Sequence, residues 1–242
     1  MDKEMAWKQK RLGMITASEV DQIVSASGRI IDTNLSYIRS KRWERKHGFS
    51  HPVSSRAMEI GNAQEPYIYE WCKANLGFNE IVYSKDLPEI PFWVAPDCPV
   101  GASPDAFVPS QRLVLEFKTL VSATNIEFFG DEYTSYSEKK ADVWKNHGNQ
   151  VLAQFISNPN VEEDWVVKYI YCDDDILQDT DSPLAPWRGL VFKFKRSDFA
   201  ESIKEMKDRI RLVDAMISSE INPSEFKSGN WCVDANGKLF KA

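Results

Sequence analysis

The chain has 242 residues, 43% of them hydrophobic and 27% charged, with 11 Gly and 12 Pro, and no stretch approaches the roughly 18 consecutive apolar residues of a membrane helix, so collagen, low-complexity disorder and an integral membrane protein are excluded. Four cysteines, Cys72, Cys98, Cys172 and Cys232, stand too far apart for a C-x-x-C pair, which reads as isolated buried thiols rather than a zinc ribbon or a disulfide framework. The net charge of −6 argues against a nucleic-acid partner until its distribution is considered: residues 1–60 hold 11 Lys/Arg against 7 Asp/Glu, leaving −10 for the remainder.

The polar opening Met1 to Arg11 lacks the apolar core of a secretory signal, which suggests a cytoplasmic protein. Thr16-Ala17-Ser18-Glu19 has capping-box spacing before Val20, Ile23 and Val24, and predicts the start of a helix. A second helix is expected over about 34–47. It contains the densest basic run, Arg39, Lys41, Arg42, Arg45 and Lys46 with Trp43 and one acid, Glu44, which on its own reads as a solvated helix face. A third is expected within 55–76, its inward face made by Ile60, Tyr67, Ile68, Trp71 and Leu76, and kinked or restarted at Pro66.

From 81 to 120 short apolar runs separated by Pro, Asp and Ser predict a strand meander. Asp105–Val108 and Leu113–Lys118 flank a hairpin-length link, Pro109 to Arg112. A helix over 140–157, with Trp144, Val151, Leu152, Phe155 and Ile156 inward, precedes strands near Trp165–Cys172 and Gly189–Lys195. Ser197 and Asp198 then open a helix whose Phe199, Ile203, Met206, Ile210, Val213 and Ile217 form an amphipathic stripe. No repeat or linker divides the chain, so the expected architecture is one α/β domain over 1–242, a central mixed β-sheet flanked by helices.

Chemistry concentrates in Ser103-Pro104-Asp105 and Glu116-Phe117-Lys118. Side chains at i and i+2 of a strand share a face, so Glu116 and Lys118 point together while Leu115 and Phe117 face the opposite layer. Asp105 on the adjoining strand brings a second carboxylate. Two acids at close quarters can hold a hard cation such as Mg²⁺, and a nearby Lys can position or help deprotonate a water, which suits hydrolysis of a phosphodiester. The same residues could equally form an ordinary ion pair at a sheet edge. His47, His51 and His147 lack zinc-ligand spacing. Asp173, Asp174, Asp175, Asp179 and Asp181 lack the Gly and Glu of a calcium loop and read as a solvated loop facing away from any DNA.

Four ordered blocks resolve that ambiguity. Trp7, with Lys10-Arg11-Leu12-Gly13-Met14-Ile15-Thr16-Ala17-Ser18-Glu19-Val20, Gly61-Asn62-Ala63-Gln64-Glu65, the Asp105 and Glu116–Lys118 segments, and Gln150-Val151 together resemble the lambda-exonuclease-like, or YqaJ-type, viral recombination nucleases of the PD-(D/E)XK superfamily, over residues 7–154. The resemblance implies a restriction-endonuclease-like nuclease fold and a phage or prophage protein in a bacterial host. It implies a Mg²⁺-dependent 5′-to-3′ exonuclease on linear double-stranded DNA, with Mn²⁺ able to substitute, leaving 3′ single-stranded tails for recombination by strand annealing. Asp105, Glu116 and the Phe117 carbonyl would bind metal, Lys118 would be the catalytic lysine, Gln150 would complete the site, and Glu65 would lie beside the metals. Arg11, Ser18 and Ser103 would bind the 5′-phosphate. A homotrimeric ring and a single-strand annealing protein as partner are implied as well.

Three positions depart from the family pattern: Ala106 replaces the usual Gly, Pro66 follows Glu65, and Gln154 lies one turn beyond Gln150 as a competing candidate. In a ring, the basic 39–46 segment and Arg11 are expected to face the channel and the 173–181 loop the exterior. The alternatives are an endonuclease or junction resolvase on the same core, or a catalytically silent DNA-end-binding scaffold.

Overall fold

The computed structural model describes residues 2–23, 31–50, 55–170 and 182–241. Its helices are α1 (Lys3–Arg11), α2 (Asp32–His47), α3 (Arg56–Asn75), α4 (Ala123–Gly130), α5 (Tyr136–Ser157) and α6 (Ala200–Ser218). Its strands are β1 (Ile15–Thr16), β2 (Val82–Tyr83), β3 (Trp93–Val94), β4 (Val100–Ala102), β5 (Ala106–Val108), β6 (Leu113–Leu120), β7 (Glu163–Ile170), β8 (Gly189–Lys195), β9 (Trp231–Val233) and β10 (Leu239–Lys241).

Strands β2-β5-β6-β7-β8 form a mixed sheet in which only β6 and β7 run parallel. Its central strand alternates as the sequence predicts. Leu113, Leu115 and Phe117 join Val167 and Tyr169 against Ile68 and Trp71 of α3, while Val114 joins Val166, Phe192 and Phe194 against Val151 and Phe155 of α5. The sheet is thus covered by α3 on one face and α5 on the other, the helix-flanked mixed sheet of the PD-(D/E)XK nuclease fold. A further core lies beyond α5, where β1-β4-β3 and α2 meet the stripe Met206, Ile210, Val213 and Ile217 of α6. Cys72 and Cys98 are buried and free, and Cys232 is half-buried.

The structure corrects several expectations. Thr16 opens no capped α-helix: it is extended, pairs with Gly101 in β4, and is followed by a 3-10 turn over Ala17–Gln22 without a side-chain cap. Glu19 is drawn instead to Lys41 at 3.1 Å and to the Tyr37 hydroxyl at 3.3 Å. Pro66 does not restart α3, which runs continuously from Arg56 to Asn75. A proline deletes one backbone donor, and the packing of Ile68 and Trp71 on the sheet outweighs that loss. Ser197 and Asp198 fall in a 3-10 turn before α6, whose N-cap position is Phe199, and the serine hydroxyl donates to Asp198 rather than capping the helix. Helices α1 and α4 and the β9–β10 hairpin have no counterpart among the predicted elements.

Most of the basic run on α2 is not the freely solvated face that composition predicts, because its cations are tied to neighbouring elements. Arg42 donates to the carbonyls of Met216 at 2.6 Å and Ile221 at 2.7 Å, clamping the end of α6. Arg45 pairs with Asp214 and donates to the Gly13 carbonyl at 2.8 Å, and Lys41 is buried between Glu19 and Glu44. Arg39 reaches Ser224 at 3.2 Å. Four of the five cations thus hold α2 to its neighbours, while Lys46 is exposed. Val24, His51, Cys172 and the acidic 173–181 segment lie outside the described residues.

Candidate active site

The site forms where β5 and β6 part. Their ladder ends at the pair Ala106–Leu115; one residue further, the Phe117 N–H donates to the Asp105 carboxylate at 2.7 Å, and the Asp105 carbonyl accepts from Ser84 N–H at 3.0 Å. The splayed strands leave room for side chains instead of a backbone bond. Ala106, where the family pattern has Gly, is buried and paired normally with Leu115 and Tyr83, so the substitution leaves this geometry intact.

On the α5 face of β6, Lys118 Nζ donates to Glu116 at 2.7 Å and to Gln150 Oε1 at 3.0 Å. Gln154 Nε2 donates to the other Glu116 oxygen. The two glutamines therefore do not compete: Gln150 holds the lysine and Gln154 the glutamate. Their spacing of four places both on one side of α5, and His147, one turn before Gln150, accepts from Lys168 Nζ at 2.7 Å. Burial, with Lys168 and Lys118 nearby, lowers the His147 pKa to about 3, so the ring is a neutral acceptor; burial beside Lys118 lowers Lys168 to about 8.

Glu65 on α3 pairs with Lys85 at 2.6 Å and accepts from the Tyr83 hydroxyl at 3.2 Å. Burial raises the Asp105 pKa well above the carboxylate range, with Glu116 and then Glu65 adding to the effect. Burial opposes the charge on Lys118, but Glu116 and Asp105 outweigh it and the net shift is upward. The lysine is a firm cation. The Asp105, Glu116 and Glu65 carboxylates line one cleft where Asp105 resists ionisation, which fits a divalent cation as counter-charge. Among the described residues no three His, Cys, Asp or Glu side chains converge as metal ligands. Two carboxylates plus a backbone carbonyl suit Mg²⁺, which retains several waters.

The third block of residues lines the same cleft. Arg11, at the end of α1, lies over the Trp7 ring at 4.1 Å and points Nη2 to Ser18 Oγ at 3.4 Å, and Trp7 Nε1 donates to Ser103 Oγ at 2.6 Å. The Ser18 hydroxyl also lies 3.3 Å from Thr16 Oγ1. Burial lowers the Arg11 pKa from its usual value, opposed by Glu19 and Glu44, and the guanidinium stays charged. Arg11, Ser18, Ser103, Glu65, Asp105, Glu116, Lys118 and Gln150 all line one cleft of about 720 Å³, with Trp7, Lys8 and Lys85 among its other walls. Trp7 enters the sequence reading only through the resemblance. Lys85, Tyr83 and the His147–Lys168 pair carried no local motif, because their relation to the site depends on register and helix docking.

Comparison with known proteins bears on the fold that carries this cleft. The chain resembles the crystal structure of an alkaline exonuclease, LHK-Exo, from Laribacter hongkongensis, with a TM-score of 0.64 and 20% identity over 92% of this chain and 97% of that one. The same exonuclease in complex with dAMP matches at a TM-score of 0.57 and 19% identity, over 88% and 94% of the two chains. A phage related exonuclease from Haemophilus somnus 129PT matches at 0.61 and 14% identity, over 85% and 95%. No curated protein sequence matches significantly. The family model of the YqaJ-like viral recombinase domain spans residues 6–156, and covers every candidate site residue; the chain therefore belongs to the YqaJ-like viral recombinase domain family.

Proposed function

We propose that the protein is a single-domain deoxyribonuclease that degrades one strand of linear double-stranded DNA from its 5′-phosphorylated end, with Mg²⁺ as cofactor and Mn²⁺ as a substitute. The observation that carries this reading is one cleft holding both a hydrolytic cluster and, beside it, a guanidinium with two hydroxyls suited to a terminal phosphate. The names of the structural relatives, an alkaline exonuclease and a phage related exonuclease, support the exonuclease class.

Asp105 and Glu116 would hold the metal with the Phe117 carbonyl. The chemistry a bound Mg²⁺ supplies is charge stabilisation at the phosphate and a more acidic water. Lys118, held as a cation by Glu116 and directed by Gln150, keeps one N–H for the attacking water or a phosphate oxygen. Glu65, tethered by Lys85 and Tyr83, contributes negative charge on the far wall. Arg11, Ser18 and Ser103 grip the terminal phosphate and so set the scissile bond by distance.

With most of α2's cations paired to their neighbours, the cations that line the cleft itself are Arg11, Lys8, Lys85 and Lys118. So few contacts per subunit are weak in saline solution, and a closed homotrimer around the duplex would convert them into sustained association. The 3′ tails would pass to a single-strand annealing protein in a phage- or prophage-bearing bacterial host. Among the described residues no helix is long and apolar enough to cross a membrane. The test is a nuclease assay with Mg²⁺ on blunt linear and covalently closed circular duplex. Stepwise loss of the linear DNA with the circle intact is expected; cleavage of the circle would indicate an endonuclease or resolvase, and inertness on both would indicate a scaffold.

A further inference from the structure

The α5-facing rows of β6 and β7 are in register: Val114, Glu116 and Lys118 lie beside Asp164, Val166 and Lys168. Helix α5 answers Lys168 with His147, Lys118 with Gln150 and Glu116 with Gln154. Asp164 is left over. It is 0% exposed, its register neighbours are Val114 and Phe194, and neither carboxylate oxygen has a hydrogen-bond partner. Gln154, 1% exposed, spends its N–H on Glu116 and leaves Oε1 equally unpartnered.

Buried acceptors without donors beneath one helix are costly, and a single proton on Asp164 both removes the buried charge and gives Gln154 Oε1 a donor. An amide oxygen cannot supply it; a carboxylic acid can. We propose that Asp164 keeps its proton in the folded protein and donates it to Gln154 Oε1, directly or through one enclosed water, locking the amide with its NH₂ toward Glu116. Asp164 is then a positioning residue for a metal-binding carboxylate, acting through Gln154. The surroundings agree: burial holds the Asp164 carboxyl well above the ordinary range, Glu116 reinforces this, and Lys118 opposes it. Without the donor the amide is free to turn its oxygen to Glu116, where acceptor would meet carboxylate and the ligand would lose its fixed orientation.

The inference rests on Glu116 being a metal ligand, and the experiment separates the two claims. Calorimetric binding of Mn²⁺ and of Mg²⁺ to the full chain without DNA is compared for wild type, Asp164→Asn, Asp164→Leu and Glu116→Ala. Asparagine retains a donor for Gln154 and should bind metal like wild type, whereas Asp164→Leu should weaken binding by about 10–100-fold. Unchanged affinity in Asp164→Leu overturns the inference. Wild-type affinity in Glu116→Ala overturns the metal assignment instead.

Should the leucine variant fail to fold, thermal stability against pH decides between wild type and Asp164→Asn. A folded pKa above the unfolded value of about 3.9 means that wild type loses stability relative to the asparagine variant as pH rises above about 4, until the folded value is passed. Parallel stability curves would show that Asp164 carries no retained proton.

Discussion

Glu116 illustrates how much one position demands of its neighbours. Both its oxygens are engaged, one by Lys118 and the other by Gln154, in a site only 4% exposed. Removing the carboxylate deletes the proposed metal ligand and leaves Gln154 and Lys118 without their acceptor. Asp105→Ala and Glu116→Ala are therefore each expected to lower cleavage in Mg²⁺ by more than about a hundredfold while DNA binding persists, because carboxylates repel phosphate when no cation lies between them. Lys118→Ala should behave likewise, since it removes the oriented cation. Initial rates on labelled linear duplex, read beside a gel-shift titration, check all three; near-normal turnover by Glu116→Ala would show the assignment to be wrong. Arg11 acts on a different part of the substrate. Arg11→Ala should slow degradation of 5′-phosphorylated duplex far more than of 5′-hydroxyl duplex, and equal slowing of both would make Arg11 a general DNA contact.

Helix α2 carries a lesson in reading charge. Its Arg42 ties off the carbonyls at the end of α6, and its Glu44 and Arg45 clasp the two sides of the Gly13 peptide, with the Gly13 N–H reaching Glu44 at 3.2 Å. Gly13 has φ +71°, and a Cβ there would meet Arg45 Cγ at 2.8 Å, so glycine is required both by conformation and by space. Because Gly13 joins α1, which bears Arg11, to the segment bearing Ser18, Glu44 and Arg45 brace the wall of the cleft proposed to take the phosphate. Arg42→Ala and Arg45→Ala should each lower stability by about 1–3 kcal/mol, the scale of hydrogen bonds to charged groups. Their DNA affinity should keep the wild-type salt dependence. Chemical denaturation and a salt titration of binding measure the two effects separately; a flattened salt slope would return these arginines to a DNA-facing role.

At the scale of the whole molecule, charge and acidity shape behaviour together. The net charge of −6 disfavours a lone subunit staying on DNA, and if the proposed ring forms, light scattering of the purified protein should give three protomers. A strict monomer at assay concentration would defeat the ring. Stability should also vary with pH through His147. Its folded pKa of about 3 lies below the ordinary value of about 6.5, so the unfolded chain binds the extra proton between these limits and stability falls as pH drops from about 6.5 toward 3. Lys168, lowered to about 8, acts in the same sense at higher pH, with stability rising from about 8 toward 10.5. His147→Gln keeps an acceptor for Lys168 and should flatten the acid limb of the unfolding curve; an unchanged limb would mean that His147 is not held neutral.

What the amino-acid sequence by itself determined was local in origin. The alternation of Leu113 to Lys118 sorts side chains to two faces within one strand, the α6 stripe repeats at helical spacing, and the motif blocks carry residue identities at fixed order, so the mixed-sheet architecture and the family were legible, as were the cleft residues within those blocks but not Lys85. Gln150 and Gln154 were both visible as candidates, but their division of labour was not, because it depends on which sheet side chain lies beneath each turn of α5. Only the tertiary structure decided that Arg39, Arg42 and Arg45 would be spent on α6, the segment after it and the loop after α1, because those partners lie as far as 185 residues away along the chain. Likewise Thr16 and Glu19 could not reveal that a strand and Lys41 would claim them, and Asp164 became a buried acid beside Glu116 only when the β6–β7 register was set. Local periodicity is written in neighbouring residues; the pairing of a charge is settled by whichever partner the folded chain brings within reach.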